Sequence, residues 1–456
     1  MPSQANCHND GFHSYFKNIF VVINNFTNIQ ELSSYHLNIS LVLYAFNSNR
    51  QFPTPHERHN MIHTAELICK LNNRTFSSLA EALPEPKMIK DGNNTVIYQN
   101  FPNYGIKITL KCYDSDKCNR PFYFVYLILN LAKLIGQNDS SISLYQICKF
   151  NEISDKFREA MSSITSGDID LQELCDIKSY TTRRIDFCCQ FKVVDPQLYI
   201  HLLNRGRFPS RGKYCNMGYE NSCYIAGGKV EDGKIIRHGS ITINIYDKQA
   251  EMKAAKYHGI GYTAEDLSEA ENVLRVEIQA FRRKMIYLKD KYKYPDRCLK
   301  HYLNISLAKE LLLDYIKEIA GTADYYTHRT LKRKVTEAGF NDEPKKIKIL
   351  NDLNGNAKNR PTLREYIGSQ SGNERRNLKG ILKTMEDKGI NPIAIPNKIG
   401  GNITSVSHLR SVYSLIEDYF ANKGSTVPTD DRLDEEYLLE EAMTDDEIEE
   451  DFNQQK

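Results

Sequence analysis

The segment Ser240–Ala254, SITINIYDKQAEMKA, decides how the chain is read. Ile241, Ile243 and Ile245 alternate with Thr242, Asn244 and Tyr246, the period-two pattern of a strand with one face in a core. Carried on, the alternation puts Lys248 on the face of Tyr246 and Asp247 with the isoleucines. Two further segments repeat the pattern. In RRIDFCCQF, Ile185, Phe187, Cys189 and Phe191 oppose Arg184, Asp186, Cys188 and Gln190. In VLRVEIQAF, Leu274, Val276, Ile278 and Ala280 oppose Arg275, Glu277 and Gln279. If the three strands share a sheet, one surface gathers two carboxylates, a tyrosine, a lysine and two arginines. For a single strand, a solvated face with cross-strand ion pairs accounts for such residues. For all three together that account weakens.

Asp186 and Glu277 are the residue types that hold a hard divalent cation, Mg²⁺ or Mn²⁺. Such a cation polarises a phosphodiester, and a tyrosine attacks it covalently. Lys248 and the arginines suit the charge that develops on phosphoryl oxygens. A free tyrosine has a pKa of about 10, so Tyr246 needs positive charge nearby to react at neutral pH. Asp247 is a second-rank ligand, because alternation points it away from Tyr246. Glu251, beyond the strand, is placed to swing back towards the metal.

The 456 residues suit two or three domains, and 26% charged with 41% apolar residues is the balance of an ordinary soluble protein. No window approaches the roughly 18 apolar residues that a membrane span needs. The N-terminus carries no basic segment followed by an apolar run, so no secretory signal is expected. The eleven cysteines are scattered without zinc spacing, as thiols of a reducing cytoplasm would be. The net charge of +2 hides an asymmetry: 13 of the 58 acidic residues fall between Gly424 and Lys456, against only two of the 60 basic ones. The body is therefore strongly basic, which favours an anionic partner, and the acidic tail either competes for the same surface or merely solubilises.

Along the chain, residues 1–60 read as an extension of uncertain structure. Strand-like MIHTAELICKL, NTVIYQNF and YGIKITLKCYD lead to the helical ISLYQICKFNEISDKFREAMSSI. A second strand-rich block follows from RRIDFCCQFKV to VLRVEIQAF. The expected fold is α+β, an antiparallel sheet with helices on one face and duplicated β-rich halves, over 61–290. A helical domain over 291–423 opens with HYLNISLAKELLLDYIKEIAG, and its last helix pair is compatible with a helix-turn-helix or winged-helix module. The segment DEPKKIKILNDLNGNAKNR reads as a basic linker within it, and 424–456 as a disordered tail.

In their order, MIHTAELICKL, LNLAKLIGQND, TRRIDFCCQF, IYDKQAE and LRVEIQ resemble the phage/plasmid replication proteins, the family of the filamentous-phage replication initiator. A similar order of RID, Y-x-K-x-x-E and R-x-E marks the plasmid Rep transesterases of Gram-positive bacteria. The resemblance spans roughly Met61 to Arg283. It implies a Rep nuclease-like fold and rolling-circle initiation in a bacterial cytoplasm. Such proteins nick one origin strand, remain joined to its 5′ phosphate through tyrosine, and later close the circle. Carried over by position, Tyr246 would be the nucleophile and Lys248 its helper at the phosphate. Asp186 and Glu277 would bind Mg²⁺ or Mn²⁺, with Glu251 or Asp247 as a third ligand. The implied partners are origin DNA and the host helicase and polymerase. Expected DNA contacts are Arg184 and Arg275 on the sheet, with the basic pairs Arg282–Arg283, Lys332–Arg333, Lys345–Lys346 and Arg375–Arg376. Many rolling-circle initiators use a His-hydrophobic-His motif, which this sequence lacks, so the resemblance implies either an acidic ligand set or a metal site that has been lost.

Three other features carry less. His56, His59 and His63 have helical spacing but no carboxylate placed as a metalloprotease needs, and read as surface histidines. IAGGKV lacks the first glycine and the Ser/Thr of a phosphate-binding loop. Cys188 has no histidine partner and reads as a packed thiol. Two rival functions stay open: a non-catalytic DNA-binding regulator, and a metal-dependent nuclease that uses water.

Overall fold

The computed structural model describes residues 60–421 apart from 85, 92–93, 114–120, 137–144, 147–149, 207–213, 217–220, 232–233, 257–261, 356–359, 400–401 and 404–405. The expected extension before Asn60 and the acidic tail lie outside the described residues.

Strands form where the period-two pattern is strongest: β1 (Asn60–Leu71), β2 (Lys87–Asp91), β3 (Asn94–Phe101), β4 (Ile106–Tyr113), β5 (Phe122–Asn130), the short β6 (Tyr145–Gln146), β7 (Thr181–Lys192), β8 (Tyr214–Asn216), β9 (Ser222–Glu231), β10 (Lys234–Asp247) and β11 (Val273–Ala280). They make one eleven-stranded sheet in the order β2-β3-β4-β5-β1-β7-β11-β10-β9-β8, with β6 against β1. Every pairing is antiparallel. Counted outward from β1 and from β7, both halves run first strand, fifth, fourth, third, second. The two halves repeat one topology and meet at β1–β7, so they build a single sheet rather than two stacked ones.

The sheet's apolar face makes the main core. Ile241, Ile243 and Ile245 join Phe187, Val276 and Ile278 there. Helices supply the other side: Phe157 and Met161 from Phe150–Ile164, Leu198 and Leu202 from Pro196–Asn204, and Leu307, Leu311 and Leu312 from Ile305–Ala320. The last of these helices starts where the Asn304 side chain accepts the Ser306 and Leu307 N–H groups. It stops at Gly321, whose φ of 73° a residue with a Cβ rarely adopts. The core runs on to Phe420 without a break at 290/291.

Two local readings need correction. The strand holding Tyr246 ends at Asp247, because Asp247 Oδ1 accepts the Ala250 N–H and opens the helix Lys248–Lys256. The expected linker around Pro344 is instead the helix Glu343–Asn354. Proline is tolerated in a first turn, where its missing N–H has no partner to lose. Ile349, Leu350 and Leu353 then bury one side of that helix.

Candidate metal centre

On the face opposite the core, register sets the neighbours. Tyr246 stands across from Arg275, and Asn244 from Glu277. Glu277 in turn stands across from Cys188, and Gln279 from Asp186. β1 contributes through a bulge: Ile62 pairs with Phe187 and Ala65 with Ile185, so three steps on β1 match two on β7. Ile62 and Ala65 both join the core. The extra residue turns His63 out beside Asp186, whereas unbroken alternation back from Ala65 and Leu67 would have sunk it among apolar side chains.

The result is a three-ligand cluster: one donor atom each from His63, Asp186 and Glu277 lie within 4.8 Å of one another. This face is not solvated. Arg275 is 0% exposed, Asp186 1%, Glu277 and Lys248 4%, and Tyr246 6%. Buried charge at this density is costly unless paired. Arg184 donates to both oxygens of Asp186 at 2.8 Å. Arg275 donates from Nη2 and Nε to Gln190 Oε1 at 2.8 and 3.2 Å. Lys248 Nζ donates to Glu251 Oε2 at 2.6 Å, and Gln279 Nε2 to Glu277 Oε1 at 3.3 Å.

Burial and the neighbouring Glu277 charge push the Asp186 carboxyl up to about 7, against the pull of Arg184. Burial, reinforced by Arg275, Lys248 and Arg184, holds His63 well below the usual imidazole range, so it is neutral near pH 7. A neutral imidazole beside two crowded carboxylates fits a divalent cation: the cation relieves the repulsion, and the nitrogen donor suits Mn²⁺ better than Mg²⁺. Burial and Glu277 raise the Tyr246 phenol well above its ordinary value, while Arg275 acts the other way. Burial, then Arg275, lowers Lys248.

The sequence-derived site residues fall into two groups. Tyr246, Lys248, Asp186, Glu277, Arg184 and Arg275 come together. His63, a surface histidine by its spacing to His56 and His59, joins them as the third residue of a group that could hold a metal ion; only the bulge places it. Asp247 and Glu251 are outside the cluster. Asp247 Oδ2 accepts from Gln197 at 3.1 Å, on the core side, and Glu251 is held by Lys248. The cysteine reading stands as a description of burial: Cys188 is 0% exposed, and burial raises its thiol.

Among the expected DNA contacts, Arg333, Lys345, Arg375 and Arg376 are exposed, and Lys332, Arg282 and Arg283 half-buried. Lys346 is corrected. It is 2% exposed, ion-paired to Asp342 and 4.1 Å from the centre of the Phe340 ring, so it is out of reach of a DNA backbone. Arg275, wholly buried, serves the site rather than an outer surface.

No protein-family model and no curated protein matches the chain. Among solved structures it is similar, at a TM-score of 0.25 and 11% identity, to a rolling circle replication initiator protein from Geobacillus stearothermophilus; the match covers 57% of this chain and 84% of that one. That score is below the level of a shared fold. No helix among the described residues is long and apolar enough to cross a membrane.

Proposed function

We propose that the chain is a metal-dependent, site-specific DNA nicking and strand-transfer enzyme that initiates rolling-circle replication, with Tyr246 as nucleophile. The observation that carries this reading is the buried His63–Asp186–Glu277 cluster on the face that also holds Tyr246, Arg275 and Lys248. A divalent cation bound there supplies charge neutralisation at the phosphoryl oxygens. The Tyr246 phenolic oxygen forms a bond to phosphorus as the bond to the 3′ oxygen breaks. The phenol proton passes to solvent and the 3′ oxygen takes one up, leaving a 5′-phosphotyrosine and a free 3′ hydroxyl. Arg275, directly across the strand pair, steadies the phenolate, and Lys248 balances charge on the phosphate. Arg184 orients Asp186 through its two-pronged hydrogen bond. No nucleotide is needed, because the strand's own bond energy is kept in the tyrosyl ester.

The helix Leu363–Gly368, the helix Gly372–Glu386 and the antiparallel pair of short strands Lys398–Ile399 and Asn402–Ile403 follow one another in the order of a winged helix, and exposed Arg375 and Arg376 give that module its duplex contacts. The burial of Tyr246 favours a second reading, in which water attacks and the tyrosine only positions Arg275.

One experiment separates the readings. With Mn²⁺ and a labelled single-stranded oligonucleotide carrying the origin, the full chain is expected to form an adduct that survives denaturation. Tyr246→Phe should abolish the adduct and preserve binding. An adduct formed by that variant rejects Tyr246, cleavage without adduct supports water, and binding without cleavage supports the regulator.

A further inference from the structure

In the half built from β1–β5, the positions equivalent to Asp186 and Glu277 carry no carboxylate. Aligning β7–β11 with β1–β5 by register, Tyr246 corresponds to Tyr113: on the face opposite the core, each is the last residue of the fourth strand of its half, Tyr113 at the strand end and Tyr246 one before it. Arg275 and Glu277, across from Tyr246 and Asn244, then correspond to Phe122 and Phe124, across from Tyr113 and Lys111. One strand further in, Asp186 corresponds to Ile68. The contact between β1 and β7 obeys the same correspondence: Ile68 pairs with Thr181 as Asp186 neighbours His63. The positions equivalent to the candidate cation site of one half therefore hold a mostly aromatic cluster in the other, Ile68, Phe124 and Tyr126 with Tyr113 and Phe122 around them. This cluster lies on the same sheet face as the metal centre and apart from the main core.

Cations crown it. Lys111 Nζ is 4.9 Å from the centre of the Tyr126 ring and 5.9 Å from that of Tyr113. The Arg183 guanidinium is 5.1 Å from Tyr126, and Lys70 Nζ 5.6 Å from Phe122. Lys107, next outward on β4, is 6.0 Å from Tyr98. Arg183 reaches this face because β7 bulges there: Glu66 pairs with Arg184, but Leu67 pairs with Thr182. Lys70 and Lys107 are exposed, while Tyr98, Tyr113 and Phe122 are half-buried.

We propose that this second copy of the site, which lacks counterparts of Asp186 and Glu277 and whose one nearby carboxylate, Glu66, is paired to Arg183 at 3.7 Å, is the track on which unpaired bases of the substrate strand lie, running from β3 across β4 and β5 to the metal centre. The inference rests on the reading of the chain as an enzyme acting on DNA. Positive charge interleaved with ring faces is complementary to a single strand, because phosphates meet the cations and each base offers a π-face. A duplex keeps its bases stacked on one another and offers none. Proximity supports the direction of the track: β1 is shared by the aromatic cluster, through Ile68, and by the metal centre, through His63.

The test measures binding of a fluorescent 30-nucleotide oligothymidine to the full chain in EDTA on a Tyr246→Phe background, so that cleavage plays no part. Replacing Lys107 and Lys111 together by alanine is expected to weaken binding about tenfold and to lower the slope of log affinity against log salt by about 1.4, two single-strand phosphate contacts. Phe122→Ala is expected to weaken binding with an unchanged slope. Iodouracil-substituted oligonucleotides should cross-link to peptides spanning 95–126. Thermal unfolding of each variant separates lost contact from lost fold. Unchanged affinity and slope, or cross-links confined to 363–386, would overturn the proposal. Because no chemistry is read, a failure of the tyrosine mechanism leaves this outcome separate.

Discussion

At the scale of the residue, the site is a compromise between crowding and pairing. Asp186 and Glu277 repel each other in a buried setting, and Arg184 offsets only part of the cost. Removing either carboxylate relieves the repulsion in the metal-free protein and weakens the hold on the cation. Glu277→Gln and His63→Ala are each expected to lower Mn²⁺ affinity by about 10- to 100-fold, with titration calorimetry as the measurement. Asp247→Asn, on the other side of the strand, should leave that affinity unchanged, and a loss there would show that the cluster is misassigned. Asn244 Oδ1 and Thr242 Oγ1 are buried on the same strand without a hydrogen-bond partner among the described residues.

At the scale of the element, bulges and strand ends matter more than propensity. One added residue in β1 turns His63 to the site, and one in β7 turns Arg183 to the aromatic cluster. The helix Arg282–Lys291, which follows β11, carries a testable charge. Half-buried Lys284 lies 4.6 Å from the Tyr287 ring centre and 5.3 Å from that of Tyr315. Burial, then Lys291, lowers its pKa to about 8, while Asp314, Glu310 and Glu318 pull the other way. Between about pH 8 and the ordinary lysine value near 10.4, the unfolded chain binds more protons at this group than the folded one. Stability from Lys284 therefore rises with pH across that window. Melting temperatures taken across this range should rise for the wild type relative to Lys284→Met; parallel curves would refute a depressed lysine.

At the scale of the whole molecule, charge is separated along the chain. The last 33 residues hold 13 acidic groups, and the remainder is strongly basic. Removing 424–456 is expected to strengthen non-specific DNA binding about tenfold at low salt, with less effect as salt rises. Anisotropy titrations at two salt concentrations check this, and unchanged affinity would reject competition by the tail.

Period-two alternation needs only local order, because neighbouring side chains on a strand must point to opposite faces. That is why the split of Tyr246 from the isoleucines, of Asp186 from Phe187 and of Glu277 from Val276 was legible in the sequence alone. The same local logic set Asp247 apart from Tyr246. The helix Glu343–Asn354 reads as a linker in the sequence because its lysines and asparagines outnumber the apolar stripe of Ile349, Leu350 and Leu353. What alternation cannot carry is register between strands far apart in the chain. The tertiary structure decided that His63, more than 120 positions from Asp186, completes the cluster, that Lys346 is buried, and that Phe124 stands where the other half has Glu277. The first and last of these follow from hydrogen-bond pairing across β1, β7 and their neighbours, a long-range choice made by burying one common apolar face, and the burial of Lys346 follows from its place over the Phe340 ring beside Asp342.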